Sequence, residues 1–414
     1  MQSGTARVVK LAWKDVVLDA IDLPAGRLIV TLGVGSGLAR GRDGSLWALT
    51  DRGPNLHMAQ AIDVHHLRSL EHLRTIDGAK VMPWPERGPE IVELSIHGDE
   101  MRMERRLPLF GRSGRRLSGL PVPAAGVGKM EAIFGPDGAR LGVNPAGADT
   151  EALVVLSDGS FFASEEYGPS LLKVSAQGEV LERWVPAGAE DAMATSEYVV
   201  RGALPAIAVT RRINRGFEAL GISPDEQWLY VMFQSALTPG VETVWTGSAP
   251  VRIWKIDAVT GAVAAQHLYR FDAPETFLRD AARGVVTKGD LKIGDIFALG
   301  CDRLLVLERI SHSTKIYEVR LTDLNAAALT NLEIDARPRI EDMGEVMFAA
   351  SGMETLPKRL VFSSDSCVGL GPDIEGMVVL SPNELLLVSD NDFGVEGAET
   401  GFWRVTLETD LERV

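Results

Sequence analysis

The chain has 414 residues, 45% apolar and 24% charged, an ordinary globular composition that argues against disorder. Its 57 acidic against 42 basic residues give a net charge of −15, which argues against a nucleic-acid partner because phosphate neutralisation needs a basic face. Two cysteines, Cys301 and Cys367, exclude a disulfide framework and a thiolate metal site but leave room for one bridge.

The N-terminus, MQSGTARVVKLAWKDVVLDA, lacks the apolar core of a signal peptide. This leaves a cytoplasmic chain, or one whose leader precedes this numbering. No run reaches the roughly 18 apolar residues of a transmembrane segment. Onward from there, LWALTD, LVVLSDGSFFAS, WLYVMF, RLLVLE and ELLLVSD read as short strands beside turn signals. Residues 56–76, inside an insertion spanning 55–89, read as a helix or an ordered loop. No linker or composition break divides the chain, so 1–414 reads as a single domain.

Five segments share one plan: SGLARGRDGSLWALTD (36–51), EALVVLSDGSFFASEE (151–166), EALGISPDEQWLYVMFQ (218–234), DIFALGCDRLLVLE (295–308) and EGMVVLSPNELLLVSD (375–390). Each starts with a small polar or acidic residue, runs through an apolar strand, turns, and returns to Asp, Glu or Gln. IVELSIHGDEMRMERRL (91–107), SLLKVSAQGEVLERWV (170–185) and VRIWKIDAVTGAVAAQHLY (251–269) supply third and fourth strands, and KIYEVRL (315–321) and FWRVTL (402–407) further third strands. Four antiparallel strands repeated about every 70 residues describe an all-β fold, a β-propeller of four-stranded blades with its ring closed by the chain termini. The first interval is much the longest, so the blade count is six, with five as the alternative.

In a hairpin, the first residue of one strand lies beside the last of the other, with the strands about 4.8 Å apart. That pairs Ser36 with Asp51, Glu151 with Glu166, Glu218 with Gln234, Asp295 with Glu308 and Glu375 with Asp390, all at one mouth of the central channel. Bare carboxylates there would repel one another, and a divalent cation removes that repulsion. Ca²⁺ accepts 6–8 oxygen ligands with tolerant geometry, whereas zinc suits a chain so poor in Cys badly. Glu165 points to the opposite strand face and is the poorer ligand beside Glu166. His65, His66 and His72 read as a solvated face.

Arg52, Arg215 and Arg309 adjoin the same hairpin ends, where they either bind an anion or neutralise the carboxylates. GVGSG (33–37) is neither a nucleophile elbow nor a phosphate loop, and the repeat makes Ser36 the counterpart of Glu151. Tyr167 and Asn391 stand where they could position a substrate. Glu131, in KMEAIFGPDG, belongs to a loop hairpin or a degenerate sixth blade.

TDRGPN, SEEYGPSLL, NRGFEALGISPD, LLVLER and EGMVVL…LLLVSDNDFG occur in this order over about residues 33–407. Together they resemble the landmarks of the phytase-like family, "esterase-like activity of phytase". The resemblance implies a propeller related to calcium-dependent β-propeller phytases, with Ca²⁺ held by Glu151, Glu166, Glu218, Asp295, Glu375, Asp390 and Asp51. It also implies a small anionic or ester substrate and export to the periplasm or beyond. On that basis the expected activity is Ca²⁺-dependent phosphoric-ester hydrolysis, with Glu166 or Asp390 as general base and Arg52 or Arg215 as clamp. A metal-dependent esterase or lactonase, and a non-catalytic propeller with a structural ion, are the alternatives. Ser36 and Gln234 depart from the pattern by placing neutral groups at ring positions.

Overall fold

The computed structural model describes residues 6–240 and 247–411. The repeat's turn chemistry folds as its residues require. In the first two hairpins Asp43 and Asp158 accept the backbone N–H of Ser45 and Ser160 at 3.0 and 2.9 Å. Between each such pair, Gly44 and Gly159 adopt φ of +89° and +82°, a conformation that favours glycine.

Five sheets carry the fold. The first contains Gly37–Arg40, Leu46–Leu49, Glu90–His97 and Glu100–Pro108. The second contains Thr150–Val155, Phe161–Glu165, Ser170–Val174 and Val180–Pro186, with Val199–Leu204 added in parallel. The third runs Phe217–Ile222, Trp228–Phe233, Val251–Asp257 and Val263–Tyr269, edged by Ala326–Ala327. The fourth joins Lys292–Gly300, Arg303–Arg309 and Thr314–Arg320 to the distant Lys358–Ser363. In the fifth, Ile374–Ser381, Glu384–Ser389 and Gly401–Thr406 are completed by Arg7–Leu11 from the start of the chain, which pairs with Gly401–Thr406.

The first strands of the sheets pack in cyclic order, 37–40 on 150–155, then 217–222, 292–300, 374–381 and back to 37–40. Aromatic rings fill the space between and within sheets: Trp47 meets Phe161 edge-on at 4.9 Å, and Phe217, Phe233 and Trp254 contact one another. Each such fully buried side chain contributes about 1.5–3 kcal/mol of transfer free energy.

The long first interval holds two insertions, 50–89 and 109–149. They form a short helix, Met58–Asp63, a 3₁₀ turn, Arg68–Leu73, and a three-stranded sheet of Leu56–His57, Lys80–Val81 and Ile133–Phe134. A four-stranded sixth sheet does not occur among the described residues; this small sheet and the hairpin Val17–Leu23/Gly26–Thr31 stand beside the five. Leu56, Ala61, Ile62, Leu70, Val81 and Phe134 of the insertions share one apolar cluster with Leu28 and Val30 of that hairpin and with Phe393. Cys301 and Cys367 are both free thiols.

Candidate metal centre at the channel mouth

The hairpins do not close with uniform pairing. In the second to fifth hairpins the first strand carries one extra residue opposite its partner, with the irregularity at 150/153, 217/219, 293/295 and 374/376. Such bulges lift a residue out of the ladder and re-aim its side chain. The residues at the third, fourth and fifth bulges are Glu218, Gly294 and Glu375, and Glu151 lies in the second. Beside them, just past the return strands' alternation, stand Glu166, Gln234, Arg309 and Asp390, with Asp51 and Ser36 in the first hairpin.

This register corrects one pairing expected from the sequence. Glu308 lies opposite Ile293, and Asp295 lies opposite Leu307. Asp295 therefore matches Gly37, Ala219 and Gly376, one step inside the mouth. Its carboxylate accepts the N–H groups of Ile296 and Met377, both at 2.8 Å, and so ties the fourth sheet to the fifth. Glu308 turns into the sheet stack, accepting from Tyr269 Oη at 2.5 Å and pairing with Lys358.

Among the described residues, one group of carboxylates has its oxygens close enough to share an ion: Asp149, Glu151 and Glu166, all within 4.8 Å of one another. Asp149 and Glu166 are buried, while Glu151 keeps partial solvent contact although protein surrounds it, as expected for a residue lining a channel. Burial, reinforced by Asp149, Glu218 and Glu166, holds the Glu151 carboxyl well above the usual range. Glu166 is raised in the same way by burial and then by Glu218 and Asp149. Asp149 is pushed up to about 6 by burial, with Arg52 opposing.

Glu218 is 3% exposed and accepts from Gln234 Nε2 at 2.6 Å, yet its Oε2 has no hydrogen-bond partner. The buried Ser36 Oγ is also without one. A set of hard oxygen donors, mutually repelling and incompletely satisfied, fits an oxygen-seeking divalent cation. Sequence reasoning missed Asp149, although its signal was present: Asp149-Thr150-Glu151 recurs as Asp373-Ile374-Glu375.

On the far side, Asp51 and Asp390 are each held well above the usual range, by burial first and then by neighbouring carboxylates. Glu375 is pushed up to about 7 by burial, against the pull of Arg309, which pairs with it. Arg309 also reaches Asp373 at 3.3 Å.

The arginines divide by partner. Arg52 is 4% exposed and engaged through both terminal nitrogens: it pairs with Glu131, reaches Asp149 at 3.1 Å, and donates to Asn214 at 2.5 Å and Tyr167 Oη at 3.2 Å. It therefore neutralises carboxylates. Glu131, in its loop beside Ile133–Phe134, is the other half of that buried pair. Among the described residues the Arg215 guanidinium donates to the carbonyls of Leu291 and Gly289, at 2.9 and 3.0 Å, and burial lowers it to about 10. Nearby Lys292 is lowered by Arg309 and then by burial. Arg215 and Lys292 line a depression of about 460 Å³ together with Arg283, His312, Asp280 and Asp290.

Asn391 is fully buried and bonds Thr31 Oγ1 and the Leu32 carbonyl through Nδ2. Tyr167 lies under the Arg52 guanidinium and donates to the Gly119 carbonyl at 2.8 Å. Both are structural members of the mouth. His65, His66 and His72 lie on the insertion and join no metal-compatible group.

Sheets of this form, with a carboxylate-rich mouth where their first strands begin, define a propeller-type protein. The chain belongs to the phytase-like family described as "esterase-like activity of phytase", which it matches over residues 30–393. It is 29% identical over 219 residues to an uncharacterised secreted protein of Arthroderma benhamiae, covering 47% of this chain and 40% of that protein. The match thus spans less than half the length of that relative.

Among solved structures it is similar to a luciferin-regenerating enzyme, at 9% identity and a TM-score of 0.33, over 91% of this chain and 92% of that one. It is also similar to a gluconolactonase of Xanthomonas campestris, at 11% identity and a TM-score of 0.34, over 98% and 99% of the two chains. At those scores neither likeness bears on the chemistry. No helix among the described residues is long and apolar enough to cross a membrane.

Proposed function

We propose that this protein is a Ca²⁺-dependent hydrolase of phosphoric esters, acting at the mouth of a five-bladed propeller that forms one domain and is closed by Arg7–Leu11. The observation that carries this reading is the convergence of Asp149, Glu151 and Glu166 beside the unpartnered Glu218 Oε2. These four residues would hold the ion, with Asp51, Glu375 and Asp390 completing the acidic lining. When bound, Ca²⁺ supplies Lewis-acid polarisation of the ester oxygen and removes the carboxylates' repulsion.

The remaining work falls to the chain. Glu166, or Asp390 across the mouth, accepts a proton from the attacking water as the phosphorus–oxygen ester bond breaks, and that proton then goes to the departing alkoxide. Arg215 and Lys292 orient the anionic ester, since neither is committed to a carboxylate partner. Arg52 holds Asp149 in place. Asp295 keeps the fourth and fifth sheets in register beneath the site. Export to the periplasm or beyond is part of this proposal, in line with the secreted relative.

The esterase-like activity in the family description supports a carboxylic ester, open-chain or cyclic, as the substrate of a second reading. Chelated protein should gain phosphate release from phytate or p-nitrophenyl phosphate on addition of Ca²⁺. Turnover of p-nitrophenyl acetate or a lactone with phosphate esters inert would select the second reading. Calcium binding that raises thermal stability with every ester inert would leave a binding or scaffold propeller.

A further inference from the structure

Glu165 faces away from the mouth, and the reaction proposed above gives it no task. It is fully buried, as is its partner Arg183. Its Oε1 accepts the backbone N–H of Asp149 at 3.2 Å and of Tyr167 at 2.9 Å. Its Oε2 accepts from Gly168 N–H at 3.1 Å and Ser170 Oγ at 3.0 Å, and pairs with Arg183 Nη2 at 2.8 Å. Arg183 is anchored in turn, donating to Ser170 Oγ at 2.9 Å and the Gly147 carbonyl at 2.7 Å. The Glu166 N–H closes the loop on the Asp149 carbonyl at 2.8 Å.

One carboxylate thus grips the main chain of Asp149 and the residue after Glu166, the two segments that carry the cluster. Three carboxylates within 4.8 Å would splay apart if those segments could move. We infer that Glu165, locked by Arg183, is the positioning residue that holds Asp149, Glu151 and Glu166 at cation-binding separation. This rests on the cation-binding reading above.

The repeat supplies a control. The same register position is Thr50, Phe233, Glu308 and Ser389 in the other hairpins, so the fold itself does not require a carboxylate there. Glu308 is equally buried, but its partners are Tyr269, Lys358 and the Asp272 N–H, none of them a mouth residue.

Calorimetric titration of Ca²⁺ into wild type, Glu165→Gln and Glu308→Gln tests the inference. Glu165→Gln should raise Kd at least about tenfold in protein that remains folded by circular dichroism, the loss expected when a ligand's outer support is removed. Glu308→Gln should lower Tm and leave Kd within about twofold of wild type. If Glu165→Gln does not fold, Arg183→Lys keeps the charge, loses the fork spanning Glu165, Ser170 and Gly147, and should weaken Ca²⁺ in the same direction. A wild-type Kd in the folded Glu165 or Arg183 variant, or equal weakening by Glu308→Gln, overturns the inference alone. No Ca²⁺ uptake by wild type overturns the cation-binding reading and the inference with it.

Discussion

The second and fourth hairpins have the same backbone plan and opposite chemistry. At matching positions the second presents Asp149, Glu151 and Glu166, and the fourth presents Lys292, Gly294 and Arg309. The bulge fixes where a side chain enters the mouth, and the residue placed there fixes the charge. In the fourth hairpin any side chain at 294 would crowd its neighbours: a Cβ would lie 2.7 Å from Leu307 Cδ2 and 3.3 Å from the Ile374 carbonyl. The second hairpin consequently brings carboxylates to the mouth, whereas the fourth brings cations, of which Arg309 is paired with Glu375 and Asp373.

The largest way to break this contrast is Glu166→Gln, which removes both a cluster member and the candidate base. Ca²⁺-dependent ester hydrolysis should fall by about 10²–10⁴-fold. A loss under tenfold in steady-state assays would transfer the base role to Asp390.

Next is Arg309→Met, which removes the buried guanidinium of the fourth hairpin and leaves the half-buried Glu375 without its partner. Unfolding in urea should show a loss of about 3–5 kcal/mol. A loss below about 1 kcal/mol would mean that the Arg309–Glu375 pair does not organise the fourth and fifth hairpins.

A third effect is pH-dependent and falls on the mouth carboxylates of the second and fifth hairpins. Asp149 and Glu375 have folded-state pKa values raised from 3.8 and 4.5 to about 6 and about 7. Their stability contribution is therefore complete below about pH 4 and is lost as pH rises toward 7, because the unfolded chain ionises first. Chelated protein should lose about 4 kcal/mol between pH 4.5 and 7, and saturating Ca²⁺ should flatten that slope. A metal-free stability that rises over this window would remove the case that burial and mutual repulsion raise these carboxylates. The smallest effect is Gly294→Ala, which should cost about 1–2 kcal/mol as Leu307 shifts to admit the methyl group; unchanged thermal melting would show that the fourth bulge has slack.

Much of this arrangement was legible beforehand. Strand alternation and the Asp-Gly turns marked the hairpins, and Glu151, Glu218, Glu375, Glu166, Asp390 and Asp51 all come to the mouth. The fourth hairpin was misaligned by one residue because Glu308 ends an acidic-looking strand while the ring position belongs to Arg309. Arg52 was open between clamping an anion and neutralising carboxylates because nothing near it in sequence revealed Glu131, 79 residues away. Asp149 escaped because it precedes the repeat unit, and only its echo in Asp373 pointed to it.

By itself the sequence determined the strands, their turns, the repeated hairpin and the family, all of which rest on local periodicity and short-range backbone preference. Tertiary structure decided which end residues face the mouth and what they meet there. A bulge shifts register by one residue, and with a side-chain period of two that shift exchanges the faces of everything beyond it. Pattern reading locates a hairpin but cannot set that shift, so the choice between ligand and support at Glu165 and Glu166, or at Asp295 and Arg309, was made by packing between sheets.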